Sequence, residues 1–367
     1  MSSGGAQGIK TNCEDRDRIS IGIDDPKLLR QLGDKLQSHF PMQNDRPVQV
    51  AILDDYQGVA LQSADWSLLE GRAKITVFGD HLAEAAALVE RLKPFDVLCV
   101  MRERTPLTRA ILEQLPNLKL IASTAFRNAS IDLAAANEHG ITVCHTGYTS
   151  HGAIEVTWAL ILAILRNVPA EFASVQRGQW QTSVGGDLQG KTIGLVGLGN
   201  IGARMAKIAH AFGMNILAWS QNLTPESAKE HGALLVSKEE LFRAADIVSV
   251  HLVLSARTKG IIGAAELGLM KPTAYLVNTS RGPLVDENAL INTLKSRAIA
   301  GAALDVFDVE PLPASHPFRS LDRLLVTPHI GFVTSETYKI FYRDTVENIV
   351  AWLNGTPVRA SAPAVKA

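Results

Sequence analysis

The sequence predicts an α/β protein made of two successive open parallel sheets with helices on their faces. Three observations carry this. Short apolar runs alternate with helix-spaced segments from Val48 to Val326, the rhythm of parallel strands joined by crossover helices. One junction carries Gly197-Leu198-Gly199-Asn200-Ile201-Gly202 between an apolar run and a helical pattern. The chain has 367 residues, 46% of them hydrophobic, which suits two domains with sizeable cores better than one.

Residues 1–47 read as an N-terminal extension. The first twenty or so are polar, of mixed charge, and expected to be disordered. Leu28, Leu32, Leu36 and Phe40 then recur every fourth position, with Leu29 beside them, which predicts one apolar helix stripe over 26–40. Pro41 and Pro47 end it. From Val48 the pattern predicts strands at 48–53, 74–78, 97–101, 118–122 and 142–144, with helices at 82–92, 108–114 and 133–138. This is the first α/β domain, 48–146.

A strongly apolar helix is predicted at 153–166, as an interdomain spine or a subunit contact. Six further runs follow, at 193–196, 215–219, 247–250, 275–278, 300–304 and 324–326. With the glycine turn after the first of them, they match a doubly wound dinucleotide domain, 147–332. A last helix at 335–353 stops at Asn354-Gly355. Because it follows the last strand, the segment 333–367 is free to return to the first domain.

Composition narrows the function. Lys+Arg 36 against Asp+Glu 37 gives no general affinity for nucleic acid or anionic membranes. Cys13, Cys99 and Cys144 are odd in number and far apart, so neither a disulfide framework nor a structural zinc site is expected, and no metal. No apolar run approaches the ~18 residues of a membrane span, and the N-terminus lacks a signal-peptide core. The cytoplasm is the expected compartment.

The glycine turn has a physical reading. Gly197 permits the tight bend, Gly199 lets backbone N–H groups approach a pyrophosphate, and Gly202 lets the helix pack close to the strand. Asn200 and Ile201 open the helix, whose N-terminus is partly positive and rich in unpaired donors.

Three strand ends downstream carry reactive side chains: Asn278-Thr279-Ser280-Arg281-Gly282, the stretch from Asp305 to Pro311 with Glu310, and Thr327-Pro328-His329-Ile330-Gly331. Ligands of open parallel sheets lie at the carboxyl ends of strands, so Arg281, Glu310 and His329 fall on the cofactor side. Arg281 can fork onto the carboxylate and carbonyl of a 2-oxo acid. An imidazole, ordinarily near pKa ~6.5, suits proton delivery to the carbonyl oxygen as hydride reaches carbon. Glu310 would accept from the other ring nitrogen of His329 and fix its tautomer.

GLGNIG, NTSRG, the Asp305–Pro311 stretch and TPHIG, in this order, resemble the D-isomer-specific 2-hydroxyacid dehydrogenase family over about 48–353. The resemblance implies a Rossmann domain and a flavodoxin-like substrate (catalytic) domain completed by the C-terminal helix. It carries the family's catalytic Arg, Glu and His onto Arg281, Glu310 and His329. Asp305 matches the residue near the nicotinamide carboxamide, and Thr279 and Ser280 line the nicotinamide pocket, with Gly331 close by. His251, Leu252 and Val253 occupy the segment over the adenosine, and Thr258 matches a threonine just downstream. Family members are usually homodimers, with a helix like 153–166 in the contact.

Two segments depart from the family pattern. Ser220 stands where NAD-specific relatives carry an acid, and Gln221 and Asn222 follow. NADP(H) is therefore expected to be tolerated and slightly favoured over NAD. The usual glycine-rich substrate loop reads Thr124-Ala125-Phe126-Arg127, with backbone donors at Ala125, Phe126 and Arg127. Arg127 or the nearby Arg102 is expected to bind an acidic or polar substrate tail.

The expectation is an NAD(P)-dependent reductase of 2-oxo acids to D-2-hydroxy acids, of the glyoxylate/hydroxypyruvate reductase kind, binding no nucleic acid or membrane. The alternatives are a nicotinamide-sensing corepressor-like protein of the same fold and a formate or phosphite dehydrogenase relative. Formate enzymes place glutamine where Glu310 stands.

Overall fold

A computed structural model describes residues 46–361. Cys13 and the predicted 26–40 helix lie outside the described residues. The first five strands are β1 (Val48–Ile52), β2 (Ala73–Val77), β3 (Val97–Val100), β4 (Leu120–Ser123) and β5 (Thr142–His145). They form one parallel sheet in the order β2-β1-β3-β4-β5. Helices α1 (Ala85–Leu92), α2 (Arg109–Leu112) and α3 (Leu133–Glu138) cross between them. α1 starts three residues later than its periodicity predicts, because the Glu84 carboxylate accepts the N–H groups of Ala86 and Ala87 and sets the boundary.

Side chains alternate across this sheet with the strand period of two. Ala51, Leu98, Val100 and Ile121 pack with α1, α2 and α3. Val50, Ile52, Val97, Cys99, Leu120 and Ala122 face the other way. That second face is covered by Trp66 and Leu69, from a short 3-10 turn, and by the last helix, α11 (Ser335–Leu353), through Phe341, Tyr342, Ile349 and Trp352. Beyond α11 the chain pairs antiparallel with the edge of β5, His145 N–H donating to Arg359 O and Ser361 N–H to Val143 O.

The second sheet is parallel throughout: β6 (Thr192–Val196), β7 (Asn215–Trp219), β8 (Leu234–Leu235), β9 (Ile247–Val250), β10 (Tyr275–Asn278), β11 (Gly301–Leu304) and β12 (Leu324–Val326). Its order is β12-β11-β10-β9-β6-β7-β8. β6 thus lies between β9 and β7, so the strand order reverses beside it and opens a crevice at the carboxyl ends. The sequence pattern predicts six of these strands. β8 has two residues and an exposed Leu234, too little to leave a periodic signal.

α4 (His151–Leu165) links the sheets and buries Ile154, Trp158, Leu160 and Ile161 against the second one. α5 (Val168–Gln176) follows after a 61° bend at Asn167, whose φ is +52°. Among the described residues no single helix is long and apolar enough to cross a membrane. The remaining crossovers are α6 (Asn200–Ala211), α7 (Pro225–Glu230), α8 (Lys238–Ala244), α9 (Ala264–Leu269) and α10 (Glu287–Lys295).

Candidate active site

The glycine turn leads from β6 into α6, next to the point where strand order reverses. Gly197 has φ +104°, and a Cβ there would stand 2.6 Å from the carbonyl oxygen of His251. A Cβ on Gly202 would stand 2.1 Å from Gly197 O. Both positions are closed to any side chain by their own backbone surroundings. Gly199 differs: nothing lies within 4 Å of a Cβ built there. It is also the N-cap of α6, with no side chain accepting from the first turn. By contrast Thr224, Ser237, Asp286 and Thr334 each cap their helices by a side-chain oxygen. An open cradle with uncapped N–H groups at Asn200 and Ile201 fits the phosphates of a dinucleotide.

Around this cradle, Ser220 is half-buried at the end of β7, and Gln221 and Asn222 are exposed. None of positions 220–222 carries an acid. Lys238, at the start of α8, lies with Nζ 5.7 Å from the Trp219 ring and pairs with Glu266 at 2.7 Å. His251 runs beneath the turn, its Nε2 2.8 Å from Ser249 Oγ, and burial lowers its pKa to about 4. Leu252 is half-buried and Val253 exposed. The Thr258 hydroxyl closes that loop by donating to Val253 O.

The ends of β10, β11 and β12 converge because their loops touch. A Cβ on Gly282 would overlap the Phe307 backbone at 2.1 Å, so only glycine lets the Arg281 loop approach the Glu310 loop. Buried Asn278 shapes the first loop, donating to Arg281 O and accepting from Ser280 N–H. The Thr279 hydroxyl meets Thr157 of α4 at 2.6 Å, and Ser280 Oγ donates to Val250 O. These two hydroxyls therefore hold the loop to its neighbours.

Glu310 reaches back with one oxygen to the Phe307 N–H, at 2.9 Å, and with the other to His329 Nδ1, at 2.6 Å. Burial alone would raise the Glu310 pKa. The bond and charge of His329, the Phe307 N–H and the Arg281 charge outweigh that, and it falls below the ordinary value. His329 has φ +52°, a left-handed conformation that costs a non-glycine residue about 1–3 kcal/mol. Fully buried Asp305 holds it there. One Asp305 oxygen accepts from Thr327 Oγ1 and Ile330 N–H, and the other from Gly331 N–H. Burial raises the Asp305 pKa against the pull of those three donors.

Arg281 donates through Nη1 to Ser280 O at 2.7 Å, and its Nη2 forms an ion pair with Glu103 Oε2 at 2.9 Å. Glu103 follows β3 in the other sheet, so this pair spans the two sheets. Its neighbours Arg102 and Arg104 hold their guanidinium carbons 5.4 and 5.3 Å from the Phe332 ring. Phe332 is edge-on to His329 at 5.3 Å. The structure thus gathers Arg102 with Arg281, Glu310 and His329. Burial, then the Arg281 charge, lowers the Arg102 pKa, and its Nε has no hydrogen-bond partner among the described residues.

The substrate loop corrects one expectation. The Ala125 N–H is not an available donor, since it is spent on Thr146 Oγ1 at 2.8 Å; the N–H groups of Phe126 and Arg127 have no partner among the described residues. Phe126 is 72% exposed, and Arg127 is exposed with its guanidinium 5.9 Å from the Phe126 ring. Glu103, Arg104 and Tyr56 escape the sequence reading. The Tyr56 ring carries the Arg104 guanidinium at 4.4 Å, and burial, Asp54 and Glu310 raise its pKa. All three follow the carboxyl ends of β1 or β3, which is the signal that points to them.

A family model for the NAD-binding domain of D-isomer-specific 2-hydroxyacid dehydrogenases matches residues 158–331. The glyoxylate reductase of Aeropyrum pernix is 41% identical over 255 residues, 67% of this chain and 76% of its own length. The D-3-phosphoglycerate dehydrogenase of Methanocaldococcus jannaschii is 40% identical over 272 residues; the match takes in 73% of this chain and 52% of that protein, about half its length. Among solved structures, a phosphoglycerate oxidoreductase of Vibrio cholerae superimposes with TM-score 0.80 at 38% identity, covering 84% of this chain and all of that one. The apo D-lactate dehydrogenase of Escherichia coli gives 0.72 at 25% identity, with 86% and 100% coverage. A relative 41% identical over 76% of its own length, with the NAD-binding-domain model over 158–331, leads to one conclusion: the chain belongs to the D-isomer-specific 2-hydroxyacid dehydrogenase family, as an oxidoreductase that uses a nicotinamide cofactor.

Proposed function

We propose that this protein reduces a small 2-oxo acid, of the glyoxylate or hydroxypyruvate kind, to the D-2-hydroxy acid, with Arg281, Glu310 and His329 as the catalytic groups. The observation that carries this reading is the 2.6 Å bond between His329 Nδ1 and Glu310 beside the Arg281 guanidinium. A bound reduced nicotinamide supplies the hydride. Arg281 orients the substrate by its carboxylate and polarises the carbonyl. His329 delivers a proton from Nε2 to the carbonyl oxygen as the carbon is reduced. Glu310 accepts the Nδ1–H, fixes the tautomer, and stabilises the imidazolium from which that proton leaves. In the reverse direction His329 takes the hydroxyl proton.

The first sheet serves the substrate in this reading and the second the cofactor, with the reaction in the cleft and water excluded on closure. The N–H groups of Phe126 and Arg127, with Arg102, complete the substrate side, and the neighbourhood of Asp305 and Gly331 the nicotinamide side. Tolerance of NADP(H), with a slight preference, is supported by the absence of an acid at Ser220 and by the donors on Gln221 and Asn222. A homodimer is supported by exposed Leu162, Phe172, Trp180 and Val184 on and after α4 and α5. The cytoplasm remains the proposed compartment.

The test follows reduced-cofactor absorbance with NADH and NADPH across a panel of 2-oxo acids. Turnover that is lost in His329→Gln is expected, with kcat down about 100- to 10,000-fold. Cofactor binding with no turnover of any 2-oxo acid would overturn the reading in favour of a nicotinamide-sensing protein.

A further inference from the structure

We propose that Glu103 is a built-in competitor for the substrate at Arg281. Its carboxylate sits on the guanidinium where the carboxylate of a 2-oxo acid must bind. The inference rests on the reading of Arg281 as the substrate anchor.

Both terminal nitrogens of Arg281 are engaged, Nη1 by the Ser280 carbonyl and Nη2 by Glu103 at 2.9 Å. The Glu103 side chain has no other partner among the described residues. It is the same chemical group as the substrate's carboxylate, so Glu103 must leave Nη2 for the substrate to take both terminal nitrogens bidentate. The pair is displaceable. Its side chains are 31% and 28% exposed, and such partly solvated pairs hold weakly.

The surroundings favour exchange over expulsion. Arg102 feels the charges of Glu103, Arg104 and Arg281 together. Arg281 pairs with Glu103 and Arg102 also feels its charge, so a displaced Glu103 keeps a cation beside it. Because Glu103 belongs to the loop after β3 and Arg281 to the loop after β10, the exchange also unties one sheet from the other. Apparent affinity for substrate is lowered by the fraction of molecules in which Arg281 is already occupied.

The experiment compares wild type with Glu103→Gln, which keeps the side chain's shape and removes its charge. Two quantities are read: KM and kcat for glyoxylate, and the Kd of oxamate, an unreactive isostere of pyruvate, with cofactor present. Glu103→Gln is expected to lower both KM and Kd about three- to tenfold, with kcat shifting less than about threefold. A gain in affinity cannot arise from a damaged fold. A raised KM with lowered kcat would make Glu103 a group that orients Arg281 and overturn the proposal. So would oxamate binding to wild type that does not tighten in the variant, and in that case the assigned reaction stands. Neither turnover nor oxamate binding in wild type would overturn both.

Discussion

The carboxylate of Asp305 and the backbone amide of Gly331 lie 2.8 Å apart, and through this bond and that from Ile330 the Asp305 side chain holds the loop that carries His329. The left-handed backbone of His329 is flanked by two amides, Ile330 and Gly331, that both donate to Asp305. Asp305→Asn turns one acceptor oxygen into a donor facing an N–H. The expected loss of stability is about 1–3 kcal/mol, the usual result of leaving a buried donor unmade. kcat should fall at least tenfold while cofactor KM moves less. Thermal unfolding and steady-state kinetics check this; a wild-type kcat in Asp305→Asn would show that the loop needs no anchor.

Two glycines of one turn should behave in opposite ways. Gly202→Ala forces a Cβ to 2.1 Å from Gly197 O, so α6 must shift, at a cost of about 1–3 kcal/mol or more. Gly199→Ala meets nothing in the protein and should melt like wild type, yet bind cofactor at least tenfold more weakly, because its Cβ enters the space assigned to the phosphates. Melting curves and fluorescence titration with NADH and NADPH separate the two. Undiminished cofactor binding by Gly199→Ala would move the phosphate site elsewhere.

Cofactor choice should turn on Ser220. A carboxylate there repels a 2′-phosphate and accepts from a ribose hydroxyl. Ser220→Asp is expected to cut kcat/KM for NADPH at least tenfold, and to leave that for NADH within about threefold or improve it. Equal losses with both cofactors would mean that this position does not face the 2′ group.

His251 makes stability depend on pH. Burial holds its folded pKa at about 4 against an ordinary 6.5. Between those values the unfolded chain binds a proton that the folded protein refuses. Stability from this group is therefore complete above about pH 6.5 and is lost as pH falls toward 4, by up to about 3 kcal/mol. The melting temperature of wild type should drop from pH 7 to pH 5, and that of His251→Gln should drop less. Parallel declines would assign the acid sensitivity to other groups.

The parts legible in the sequence share one property: their signal is local. β6, β9 and β10 are short, mostly buried apolar runs; Arg281 follows β10, and His329 follows the half-buried apolar run of β12, each within a few residues. β8 is too short for any period to register. α5 begins after a left-handed Asn167, a conformation that periodicity does not encode. Glu103 illustrates a different limit. Its role comes from a contact with Arg281 in the other sheet, and a pairing between distant segments leaves no mark in either. The Ala125 N–H is hidden from the sequence for the same reason, since it donates to Thr146, 21 residues on.

The path of α11 has a consequence for biosynthesis. A ribosome releases the β1–β5 segment first, but the face formed by Val50, Ile52, Val97 and Leu120, which Trp66 and Leu69 cover in part, is completed only when Phe341, Tyr342, Ile349 and Trp352 emerge. The later sheet is contiguous and can consolidate as soon as β12 is out. Vectorial synthesis thus reverses the order of completion: the lobe born first matures last, carrying a partly uncovered greasy surface through most of translation, the interval in which nascent chains are most exposed to aggregation.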